Sequence, residues 1–133
     1  MTRRIDGEYT LHSTEMHTYF EDSIGMVSNW KKRGPIYEVP FSTLYSGQIK
    51  NLITAGRCTS VTDSMWDIMR VIPCCAVTGQ AAGTAAAMCV KLGQTPREIY
   101  QNHMKALQQQ LIRDDLYIPG LKNEDPGDPC LTA

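Results

Sequence analysis

Residues 51–58 read Asn51-Leu52-Ile53-Thr54-Ala55-Gly56-Arg57-Cys58. The run from Ile49 to Ala55 is short and mostly apolar, and it stops at Gly56. That is the pattern of a strand buried within a sheet, with a glycine permitting a sharp exit. A strand, then Gly56-Arg57, then a loop and a helix start is how a doubly wound sheet gathers ligand groups at the carboxyl ends of its strands. The stretch therefore predicts a mixed α/β fold, with residues 50–55 as one parallel strand of a Rossmann-like sheet.

Downstream, residues 58–69 are polar and read as irregular. From Pro73 to Leu92 the composition turns to alanine, other small residues and methionine, and Gly93 closes the run as a C-cap would. This predicts a helix over 74–92, about five turns long. Within it, Thr78-Gly79-Gln80-Ala81-Ala82-Gly83-Thr84-Ala85-Ala86-Ala87 is almost entirely small. A glycine inside a helix costs about 1 kcal/mol against alanine, so two of them need a reason in packing or in function. Packing on protein would make Gly83→Ala destabilising, which is the expected outcome. Arg70, just ahead of this helix, carries a guanidinium suited to forked contacts with an anion. Thr95, Pro96 and Glu98 form a capping box that opens a helix over 96–113, with Ile99, His103, Leu107 and Leu111 along one face. From Lys122 the tail, with Pro126, Gly127 and Pro129, reads as disordered.

Upstream, Ile5 to Leu11 alternates apolar and polar residues, as a half-buried strand does. Ser13 can cap a short helix over 14–22, with Glu15 in its first turn. Gly25 to Gly34 reads as a loop ending at the Gly34-Pro35 turn. Ile36-Tyr37-Glu38-Val39 is strand-like, with Pro40 ending it or holding it at an edge.

Composition narrows the function. The 133 residues carry 13 Lys plus Arg against 14 Asp plus Glu, a net charge of −1. Neither nucleic acid nor an anionic membrane is an expected partner, because both demand a basic surface. No run of roughly 18 apolar residues reads as a membrane span, and Met1-Thr2-Arg3-Arg4 does not open a signal peptide. Cys58, Cys74, Cys75, Cys89 and Cys130 contain no CxxC, so reduced thiols in a cytoplasmic protein are expected and no metal site is. His12, His17 and His103 build no recognisable catalytic set, and no paired carboxylate stands out.

Three blocks in order then become specific. Asn51 to Cys58, Arg70-Val71-Ile72-Pro73-Cys74, and Gly79-Gln80-Ala81-Ala82-Gly83-Thr84-Ala85-Ala86 together resemble the C-terminal flavin motif of the FAD-dependent oxidoreductases related to fumarate reductase and succinate dehydrogenase flavoproteins. Weaker similarity extends over most of 3–118, including Arg4 to Tyr9, Tyr37 to Leu44, and Leu107 to Pro119. The resemblance implies FAD as cofactor, an unknown small-molecule substrate, and candidate cofactor contacts at Ala55, Gly56, Arg57, Cys58, Arg70, Gly79, Gln80, Ala81, Ala82 and Gly83. It implies that Gly56 and Arg57 lie near the ribityl or pyrophosphate portion, and that the Gly79–Gly83 backbone faces the ring end. It divides the chain into a substrate-side remnant (1–48), a flavin-binding strand with helices (49–121) and a tail (122–133). The family's GxGxxG fingerprint, which holds the pyrophosphate and the AMP half, does not occur in these residues. The expectation is a fragment (a truncated chain, a split gene product or a broken frame) that is catalytically incompetent alone. Such a piece would hold FAD weakly and be prone to form homo-oligomers. The alternative is a non-catalytic folding or association module.

Overall fold

The computed structural model describes residues 3–127. Its regular elements are strands β1 (Ser23–Ser28) and β2 (Ile36–Pro40), followed by helices α1 (Asp63–Met69), α2 (Ile72–Leu92), α3 (Pro96–Asn102) and α4 (Met104–Arg113). The class is mixed α/β, as expected, but the described residues contain one two-stranded antiparallel sheet and no parallel pair of strands.

β1 occupies the stretch that reads as a loop. Ser23-Ile24-Gly25-Met26-Val27 buries Ile24 and Val27, and Met26, Val27 and Ser28 pair with Glu38, Tyr37 and Ile36. The register breaks between Ser23 and Met26, where Gly25 sits at φ +144°. A Cβ on Gly25 would stand 2.7 Å from Val77 Cγ1, so the glycine is what lets α2 lie close on the hairpin.

Three expected elements are not formed, for reasons that can be traced. Residues 5–11 are extended, yet they change partners along their length. Ile5 N donates to Cys58 O at 2.8 Å, Tyr9 N to Ser42 O at 3.1 Å and Leu11 N to Ser60 O at 3.0 Å. The segment is thus threaded between 42–46 and 58–61 rather than laddered to one strand. Residues 14–22 make turns in place of a helix. The Glu15 carboxylate reaches backwards, accepting from His12 N at 2.8 Å and from the Tyr9 hydroxyl, and His17 takes φ +58°. Residues 50–55 form no strand. Ile53 makes one isolated antiparallel bridge to Tyr45, and Thr54 N donates to Leu44 O at 2.7 Å. A buried parallel strand needs parallel neighbours, and the described residues offer only the returning backbone of 44–46.

The helices depart less from expectation. α1 lies within the stretch read as irregular, and Met65, Ile68 and Met69 are its buried face. α2 begins one residue before Pro73 and ends on Gly93 in the left-handed conformation, φ 64° and ψ 35°. The capping box is present: Glu98 N donates to Thr95 Oγ1 and Thr95 N to the Glu98 carboxylate at 2.7 Å. The helix it opens is interrupted at His103, with φ −134° and ψ 18°, which divides the expected 96–113 span into α3 and α4.

Leu11, Ile24, Tyr37, Val39 and Phe41 share one core with Met65, Ala81, Ala85, Ile99, Leu107 and Leu111. Gln108 ties α4 to the entry of β1 by donating to Glu21 O at 2.8 Å and Ser23 O at 3.0 Å. The first part of the expected disordered tail is held in place. Gln109 bonds both Lys122 O and Glu124 N, Glu124 pairs with Lys105, and Asp125 pairs with Arg113. Residues 128–133, and with them Cys130, lie outside the described residues.

Candidate functional site

The Gly56-Arg57-Cys58 segment forms a single 3₁₀ turn against the first half of α2. Gly56 takes φ +68°, a conformation that costs a residue with a Cβ, and its N–H donates to Thr78 Oγ1 at 2.9 Å. The Thr78 hydroxyl in turn stands 3.1 Å from the carbonyls of Cys74 and Cys75 in the preceding turn of its own helix. One buried hydroxyl therefore fixes where the turn sits on the helix. The fifth and sixth residues of the decisive stretch, Ala55 and Gly56, are brought to α2 although no strand delivers them.

Arg57, Cys58 and Arg70 gather around Trp66. The Trp66 indole N–H donates to Arg57 O at 3.1 Å, and the Arg57 guanidinium lies 5.3 Å from the indole centroid. Arg70 Cζ is 6.0 Å from the same ring and 5.3 Å from that of Trp30. Asp67 takes Arg70 Nε at 2.9 Å and also pairs with Lys31, while its carbonyl accepts from Trp30 Nε1 at 2.8 Å. The result is an alternating row, Lys31, Trp30, Arg70, Trp66 and Arg57, with Asp67 as the carboxylate within it. Arg3, Arg57, Cys58 and Trp66 line a hollow of about 300 Å³ beside the row. On a chain of net charge −1 this is a local surplus of positive charge.

Trp30 and Trp66 are absent from the residues singled out in the sequence, where Lys31 and Asp67 read only as charges in polar loops. The signal was the spacing of Trp66 and Arg70, four apart, which shares a face only once α1 is recognised as helical.

The Gly79–Gly83 block divides. Gly79 and Gly83 are exposed, and a Cβ added to either meets nothing within 4 Å. Among the described residues nothing packs on them, which runs against the packing ground for expecting Gly83→Ala to destabilise this chain. Ala81 and Ala82 point into the core, at 0 % and 8 % exposure, and Gln80 donates to Asp114 O at 2.9 Å. These three side chains serve the packing of α2 on its neighbours.

The start of α2 has no capping side chain, and Pro73 supplies no N–H there. Burial, with Cys75 close by, pushes the Cys74 thiol up to about 11, which keeps it protonated and inert near neutral pH. Cys58 is the exposed cysteine beside the arginines. The uncapped helix start and the arginines beside it are donors of the kind an anionic group takes, and the open glycine face leaves room for a flat group against the helix.

A family model described as FAD dependent oxidoreductase matches residues 2–111 of the chain. No curated protein and no solved structure matches it.

Proposed function

The chain belongs to the FAD dependent oxidoreductase family, and on that premise we propose that its residues 49–121 form one wall of a flavin site in an enzyme of the fumarate reductase and succinate dehydrogenase flavoprotein group. FAD, when bound, supplies hydride or electron transfer. The chain's own part is to bind and orient. Arg57 and Arg70 offer charge-assisted donors to the anionic portion, while Gly79 and Gly83 leave the α2 backbone open to close approach. Residues 1–48 are read as a remnant of the substrate side, in a protein that works in the cytoplasm. Catalytic competence would require the GxGxxG portion, which these residues do not contain.

The observation that carries this reading is the bond from Gly56 N to Thr78 Oγ1. It sets the arginine turn and the glycine face on the same helix. FAD titrated into the 133-residue chain should show weak, saturable association that Arg57→Ala removes. None should remain stoichiometric through gel filtration, because the contacts to the AMP half are missing. Stoichiometric retention would refute the weak holding of FAD by this chain. A wholly colourless protein with no association would favour the second reading, a folding or association module, for which the uncovered face of α2 speaks.

A further inference from the structure

We propose that Trp66 is a positioning residue that sets both Arg57 and Arg70 for one anionic group, an inference that rests on the flavin reading above. Arginine side chains on a surface sample many rotamers, and an arginine meant to meet a ligand gains from being held beforehand. Arg57 makes no side-chain hydrogen bond or ion pair among the described residues. Its guanidinium is placed by the Trp66 ring at 5.3 Å. The ring is itself anchored to the same turn, through the 3.1 Å bond from its Nε1–H to Arg57 O. Arg70 reaches the same indole at 6.0 Å and spends only Nε on Asp67, which leaves its two terminal amino groups without a protein partner among the described residues.

Two guanidinium groups repel each other. Bringing both to one indole, with a third arginine lining the adjoining hollow, is arranged better for a multiply charged anion than for the chain by itself. Trp30 is the natural comparison. It lies against Arg70 and Lys31, and among the described residues its ring takes no cation–π contact from Arg57. Trp30 also carries two cations on its ring and donates its N–H to Asp67 O. What sets Trp66 apart is that its N–H and its face both meet the same residue, Arg57.

The test uses inorganic pyrophosphate as probe on the full chain, by calorimetry and by NMR of the arginine Hε signals. In the wild type, the Arg57 and Arg70 signals should show the ring-current shift of the indole and should move together as pyrophosphate is added. Trp66→Leu should weaken pyrophosphate affinity about tenfold, Trp66→Phe should recover most of it by restoring a ring face, and Trp30→Leu should weaken it less. Should Trp66→Leu fail to fold, the wild-type signals and Trp66→Phe still decide. Binding that Arg57→Ala abolishes but Trp66→Leu and Trp66→Phe leave unchanged overturns the role of Trp66 and spares the flavin reading. Arg57 and Arg70 signals without ring-current shifts overturn it likewise. A wild-type chain that pyrophosphate leaves unmoved overturns the assignment of these arginines to an anion, and this inference with it.

Discussion

At the level of single residues, the glycines of α2 separate cofactor from packing. A glycine in the middle of a helix is less favourable than alanine by about 1 kcal/mol. Gly83 meets nothing within 4 Å of where a Cβ would stand, so no packing in the described chain repays that penalty. Gly83→Ala should therefore raise the thermal midpoint of this chain by about 4 °C. Gly56 is the contrast. Its φ of +68° makes Gly56→Ala destabilising by about 1 kcal/mol, even though the new Cβ would find only an ordinary 3.7 Å contact with Cys75 Sγ. Parallel melts of the two variants check the pair of signs. A lowered midpoint for Gly83→Ala would show that something covers the helix, and the case for a ligand there would weaken.

At the level of elements, what could be read from the sequence was local chemistry, and what could not was decided by partners far along the chain. The α2 boundaries follow from Pro73 and Gly93, and the capping box from Thr95 and Glu98, because cap and breaker residues act on their own helix. Residues 50–55 have the composition of a buried strand, but pairing is a property of two segments, and here the second segment is the antiparallel stretch at 44–46. β1 was hidden for the converse reason: Gly25 reads as a turn, while its purpose is to admit Val77. The candidate site was legible where it is written in one turn, Gly56-Arg57, and illegible where Trp30 and Trp66 meet it from elsewhere. The capping box yields a prediction with a definite sign. Glu98 is held below its ordinary pKa, first by the Thr95 backbone N–H and then by the Thr95 hydroxyl. A lowered folded-state pKa contributes stability that is complete above the unfolded value and is lost as pH falls through the folded one. Thr95→Ala should cost about 1 kcal/mol at neutral pH. Its deficit against wild type should shrink as the pH is lowered through that range, which acid titrations of both proteins followed by circular dichroism would show.

At the level of the whole molecule, the question is what the uncovered surface of α2 does in a chain of this size. Ile72 and Val90 are 86 % and 84 % exposed, and between them Ala76, Gly79, Gly83 and Ala87 lie open at helical spacing. Ile49 and Leu52 add exposed apolar area from the stretch that reads as a strand. α2 is also long and apolar enough, by length and composition, to cross a membrane, although Cys74, Thr78, Ala81, Ala82 and Ala85 are buried against the rest of the chain. Small residues flanked by branched ones let two backbones approach closely, and a patch of that kind tends to find a partner. The flavin reading supplies one natural cover, the portion of the enzyme that carries the dinucleotide fingerprint. Without that cover, a second copy of the same helix would meet the need. We therefore expect concentration-dependent self-association of the 133-residue chain in light scattering. Replacing Ile72 and Val90 together by lysine should abolish it while leaving the thermal midpoint of dilute protein nearly unchanged, since exposed positions contribute within about 0.5 kcal/mol each. A wild type that stays monomeric at high concentration would count against the open face as a contact surface. Association that survives both lysines would place the contact elsewhere, with Ile49 and Leu52 the next residues to change.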